Sequence, residues 1–172
     1  MHISERLGLN KGRPVTTHES EILAVFEQLF IDDDFLFLRW GPTITLTSDY
    51  GVTIISVSRA DRYGAKVLFV MVPPPTLSSA QVKIVIAAAS ARQEGEQVLV
   101  VIERPNQPLM VAAEVEIQRP LSRDELSAAF SDFAFTTEVA IGEAIRGLEE
   151  AKEEAHGAHA GVVRARGRGV ER

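Results

Sequence analysis

Apolar residues recur along this chain with two periods, and the changes of period mark out its elements. From Thr16 the pattern Thr-Thr-His-Glu places Glu19 three residues beyond a threonine, the spacing of a capping box. Ile22, Val25, Phe26, Leu29 and Phe30 follow at helical spacing, so an amphipathic helix is expected, ended by Asp32-Asp33-Asp34. From Phe35 to Val72 the period falls to two, with β-branched residues and turn signals at Gly41-Pro42, Asp49-Tyr50-Gly51 and Asp61 to Gly64. That pattern predicts an antiparallel meander. In Thr43 to Thr47 the isoleucine and leucine face one way and the threonines the other, which predicts a sheet wet on one side there. Val67 to Val72 is apolar on both faces and is expected in the middle of the sheet with something packed on its far side.

After Pro73-Pro74-Pro75, Ser78 and Gln81 form a second capping box, opening a helix that runs to about Gln93 with the stripe Val82, Val85, Ile86 and Ala89. Ile84, Ala87, Ala88 and Ala91 add apolar surface around the cylinder, so this helix is expected to be buried on more than one side. Val98 to Ile102, the turn Pro105 to Pro108, and the alternation from Leu109 to Ile117 predict a second hairpin. Ser122 to Glu125 opens a last helix through Leu126, Ala129, Phe130 and Phe133, expected to break near Phe135-Thr136-Thr137 and restart through Ile141, Ile145 and Leu148. The fold class is α+β, an antiparallel sheet of meander plus hairpin packed on helices, in the order α-β-β-β-(β)-α-β-β-α. The domain organisation expected is a flexible leader over 1–15, one domain over 16–150, and a disordered Ala/Gly/Arg-rich tail over 151–172.

Composition narrows the classes of function. The formal charge is −6 over 172 residues. Residues 151–172 hold five basic and three acidic side chains, which leaves −8 on residues 1–150 and no nucleic-acid footprint on the folded part. Without cysteine, disulfides, thiolate metal sites and a cysteine nucleophile are excluded, in keeping with a cytoplasmic protein. No export signal or membrane span is read.

Candidate chemistry is sparse. His2, His18, His156 and His159 all lie at the termini or at the mouth of the first helix, so the expected core offers no positioned imidazole. His156 and His159 lack further ligands, and the three aspartates lack a calcium-loop spacing. No phosphate-binding glycine motif occurs, and Arg164, Arg166 and Arg168 have no interleaved aromatics. Neither enzyme activity, metal nor cofactor is expected. The positive signal is apolar surface beyond what one sheet and one layer of helices hide, as in Phe35, Leu36, Phe37, Leu38 and Trp40.

The element order, the Ile22 to Phe30 helix, the Ile44 to Val72 meander, the helix after Pro75 and the Val98 to Ile117 hairpin resemble the type III secretion chaperone-like fold. Within it, the likeness is to the YbjN-like family, over roughly Thr17 to Leu148. The resemblance implies an acidic, dimeric, ATP-independent bacterial protein that holds clients on its surface, with dimerisation around the second helix and neighbouring strands. Ala87, Ala88 and Ala91 are then the expected dimer contact. Phe35, Phe37, Trp40, Ile84 and Met110 are the expected partner anchors, since aromatic and methionine side chains supply large, adaptable contact area. The function expected is a non-catalytic protein-binding module, chaperone-like or adaptor and regulatory, with no nucleic acid or membrane partner. One alternative is a small-molecule sensor with an apolar pocket and Arg59, Arg62 or Arg104 orienting an acidic ligand. A third reading, an enzyme, needs Glu103 or Glu114 in a cleft with a raised pKa.

Overall fold

The computed structural model of the chain describes residues 17–59, 64–92, 97–118 and 122–166; the expected leader and the end of the tail lie outside them. Helix α1 (Thr17–Asp32) buries Ile22, Leu23, Phe26 and Phe30. It stops in a Schellman arrangement. The Asp34 amide donates to the Ile31 carbonyl and the Phe35 amide to the Phe30 carbonyl, with Asp34 at φ 58° in the place glycine usually takes. The Phe35 ring meets Phe30 edge-on at 6.1 Å, the apolar contact that accompanies this cap.

Four strands follow as the expected meander: β1 (Phe37–Trp40), β2 (Thr43–Ser48), β3 (Gly51–Arg59) and β4 (Gly64–Val72). The β1–β2 turn is Gly41-Pro42, with Gly41 at φ 57° and proline fixed at the second position, the chemistry of a two-residue hairpin loop. At the next turn Gly51 lies so near the Val72 carbonyl oxygen that a Cβ would sit 2.2 Å from it. Helix α2 (Ser79–Arg92) then opens on the expected box, the Gln81 amide donating to Ser78 Oγ and the Ser78 amide to Gln81 Oε1. Strands β5 (Val100–Ile102) and β6 (Met110–Gln118) make the second hairpin, and helix α3 (Arg123–Arg166) closes the chain with Ser122 as N-cap.

Among the described residues the sheet is antiparallel throughout, in the order β1-β2-β3-β4-β6-β5. β4 is central, as its apolar character on both faces requires. One face carries Ile44, Leu46, Ile55, Val57, Val67, Phe69, Met71, Val111 and Ile117 and packs against all three helices. Its heart is aromatic: Phe69 stacks on Phe133 at 5.4 Å and meets Phe26 edge-on at 6.0 Å, while Phe130 and Phe30 approach to 5.0 Å. The opposite face holds a smaller buried cluster of Ile54, Val70, Met110 and Ala112. Thr43, expected on a wet face, is buried there, while Thr47 is exposed.

Three sequence expectations are corrected. Helix α3 does not break at Phe135-Thr136-Thr137: the Thr137 hydroxyl donates back to the Phe133 carbonyl at 2.8 Å, which satisfies it inside the helix, and packing outweighs the low propensity of paired threonines. The helix also passes the expected domain boundary at 150 and continues to Arg166, because alanine, glutamate and lysine extend an existing helix without a new nucleus. Finally, α2 is buried along one stripe only, Val82 and Ile86, and turns Ile84, Ala87 and Ala91 outward, because all three helices share one face of the sheet and none lies over α2.

Candidate protein-binding surfaces

The first surface is built on strand β1. Alternation sends Phe37 toward the helices, where it packs on the core and meets Phe30 at 5.9 Å. The register sends Leu38 and Trp40 to the other side, opposite Thr45 and Thr43. With Leu36 they form a stripe that is 91%, 77% and 67% exposed in chain order. Among the described residues β1 pairs with β2 alone, so the stripe runs along a sheet edge. Arg39, on the helix side, is tied to Glu27 of α1 at 2.9 Å.

Acidic groups mark one end of this edge. Three aspartates at a helix C-terminus oppose the macrodipole, and Arg123 at the start of α3 has the same difficulty with the opposite sign. An ion pair between Asp32 and Arg123 resolves both. The hydrogen bond from Arg123, with a second from Gln28, holds the Asp32 carboxyl below its ordinary range. Among the described residues Asp33 and Asp34 have no ion pair, and they stand immediately before Phe35 and Leu36.

The second surface lies between α2 and α3. A groove of about 310 Å³ is lined by Ala89, Arg92, Phe135, Thr136, Val139 and Glu143, among others. Arg92 crosses its end to Glu143, Nη1 to Oε1 at 3.3 Å. Phe135 is 72% exposed beside it, and Ile84 is 69% exposed on the outer side of α2. Ile84, Ala87, Ala88 and Ala91 fall on one side of that helix by their spacing.

The anchors expected from sequence therefore divide. Phe35 and Trp40 stand at the β1 edge and Ile84 beside the three alanines. Phe37 is half-buried against the core. Met110 is removed as an anchor: it is 4% exposed, within the buried cluster on the far side of the sheet, because register pairs it with Ile102 and sets it beside Val72. Leu36 and Leu38, which belong to the apolar excess read from the sequence but not to the expected anchors, are exposed, and so are Phe135 and Val139, which that reading missed. The period of two separates 36, 38 and 40 from 35 and 37 and was sufficient to find the first pair. The expected break in α3 concealed the second pair.

No family model and no curated protein matches the sequence. Among solved structures, the crystal structure of YbjN from E. coli, a proposed transcription regulator, superposes with a TM-score of 0.50 at 11% identity, covering 73% of this chain and 93% of that one. The fold is YbjN-like. An uncharacterised protein from Methanothermobacter thermautotrophicus also matches, with a TM-score of 0.43 at 11% identity over 76% of this chain and 98% of that one.

In this YbjN-like fold the residues named for other functions lie apart. Glu103 accepts hydrogen bonds from Lys83 at 2.8 Å and Ser79 at 2.9 Å, which hold its carboxyl below the ordinary range, the opposite of what a general acid needs. Glu114 accepts from Lys66 at 2.8 Å on the sheet face opposite the helices and raises the ammonium pKa. Arg104 is exposed in the β5–β6 turn, Arg59 is described in backbone only, and Arg62 lies outside the described residues. An apolar groove of about 370 Å³ beside β5, lined by Leu68, Val98, Val100, Ile102 and Ala112, has Glu114 as its charged group. No helix among the described residues is long and apolar enough to cross a membrane.

Proposed function

We propose that this chain is a non-catalytic protein-binding module, chaperone-like or adaptor and regulatory in kind, that acts as a homodimer in the cytoplasm. The observation that carries the reading is the grouping of large exposed apolar side chains into two patches, one on the β1 edge and one across α2 and α3, in a domain with a well-filled core. Scattered exposed leucines are ordinary, but contiguous apolar patches mark interaction sites. The α2–α3 patch, with Ile84, Ala87, Ala88, Ala91, Phe135 and Val139, is the dimer contact, since small residues allow close approach of a second helix pair and Phe135 supplies an anchor. The β1 edge is the partner site. The acidic charge keeps the free protein soluble while these patches are exposed.

Light scattering across a dilution series tests the reading. The full chain is expected at twice the monomer mass, and a variant combining Ala88→Glu with Phe135→Asp is expected at the monomer mass with an unchanged circular dichroism spectrum. A wild-type chain that remains monomeric at every concentration overturns the dimer, and a variant that remains dimeric moves its contact away from α2 and α3.

A further inference from the structure

The β1 edge has a direction. Its apolar stripe of Leu36, Leu38 and Trp40 is spaced at every second residue, and its acidic end, Asp33 and Asp34, has no cation among the described residues. We infer that it takes an extended segment of another protein, added to the sheet as a strand antiparallel to β1, with apolar side chains at alternate positions and lysine or arginine at its C-terminal end. This inference rests on the protein-binding reading above and names what that site recognises.

Each part follows from the geometry. An edge strand offers main-chain donors and acceptors to an incoming strand, and side chains on one face then meet at alternate positions. The sheet is antiparallel throughout, and an antiparallel addition continues it with the slightly more stable pairing. Because β1 runs away from Asp33 and Asp34, the end of an antiparallel partner that reaches them is its C-terminal end. Carboxylates there favour a base and disfavour an acid, and the net charge of −8 on residues 1–150 adds a longer-range preference of the same sign.

A second copy fits less well. A two-fold pairing centred on Leu38 would set Leu36 against Trp40, but it would carry Asp33 and Asp34 past the other copy's Gly41-Pro42 turn, where Arg39, which donates to the Gly41 carbonyl, is already paired with Glu27 and proline has no N–H to donate.

The test uses the full chain and two synthetic peptides of alternating valine and threonine, one ending in two lysines and the other in two glutamates. Titration followed by fluorescence of Trp40, the sole tryptophan, reads binding. The lysine peptide is expected to bind at least about tenfold more tightly than the glutamate peptide at low salt, with the difference shrinking as salt rises. The double change Asp33→Asn, Asp34→Asn should bring the two peptides within about threefold of one another, asparagine being tolerated at the positive φ of position 34. Leu38→Ser should weaken both by about tenfold, roughly 1.4 kcal/mol. Hydrogen exchange should show new protection on binding at alternate amides of β1, those whose N–H points away from β2.

Equal affinity for the two peptides, unchanged binding in Leu38→Ser, or no protection at β1 would each overturn the inference. A fall in molar mass of the peptide-free chain on Leu38→Ser would overturn it too, by assigning the edge to a second copy. None of these results decides the broader reading, which is tested at α2 and α3 by the mass measurement.

Discussion

Strands β4 and β1 are both written as runs of large apolar residues, and their surroundings are opposite. In β4 the side chains of Val67, Phe69 and Met71 are buried under the helices and Val70 is buried on the other face. In β1 Phe37 reaches the core from the rim, while Leu38 and Trp40 stand in solvent. The difference arises from strand order. β4 lies between β3 and β6, so neighbours on both sides and a helical layer above enclose it; β1 has one neighbour among the described residues. Similar apolar pattern thus supports the fold at one position and remains available for binding at the other.

Four predictions test this contrast, from the largest effect down. Phe69→Ala at the centre should cost about 3–5 kcal/mol in urea unfolding, because the ring touches Phe26, Phe130 and Phe133 and leaves a cavity when removed. Leu38→Ala at the edge should stay within about 0.5 kcal/mol of the parent. Comparable losses at both sites would end the distinction between supporting and available apolar residues.

The glycines of the two turns sharpen it further. Gly51, with φ 135° and the Val72 carbonyl against it, should lose more than about 2 kcal/mol on replacement by alanine. Gly41, with φ 57° and open space around it, should lose only about 1 kcal/mol, the conformational cost alone. Melting temperatures of the two variants measured side by side decide this, and a reversed order would mean that the inner turn can shift away from β4.

At the acidic end of the edge, Asp34→Gly should raise stability by about 1 kcal/mol, since glycine is at ease in the left-handed cap and a negative charge leaves a helix C-terminus. A loss instead would show that the aspartate contributes something to the cap beyond its conformation. The smallest effect lies away from both strands. Burial raises the carboxyl pKa of Glu138 on α3. With the folded pKa above the unfolded one, its contribution is fully present below the unfolded value and is lost as pH rises through the folded value. Glu138→Gln should therefore melt higher than the parent at pH 7 and equally below about pH 4, as followed by thermal unfolding across pH.

Much of the fold was legible because its signals are local. Ser78 with Gln81 and Ser122 with Glu125 start helices where the caps are observed, and Ile22 to Phe30 buries the stripe its spacing describes. The candidate site was legible only in part. Phe35, Trp40, Ile84, Ala87 and Ala91 are at the surface and Ala88 is half-buried, but Met110 is buried, because its burial depends on its hairpin partner Ile102 and on Val72, which is distant in the chain. The outward position of Phe135 and Val139 was hidden by two threonines whose helix-breaking tendency is cancelled by a back-bonded hydroxyl and by burial.

By itself the sequence determined the α+β class, the order of elements, the centrality of β4 and the acidic body, since period, capping and charge act over a few residues and need no partner. The tertiary structure decided that β1 is an edge, by adding the β5–β6 hairpin beside β4 and not beside β1, and it kept α3 continuous through Phe135 to Thr137. It also chose which face of α2 stays open. Those outcomes rest on contacts between residues far apart in the chain, and the balance among such contacts is set only when the whole sheet and its helical layer assemble.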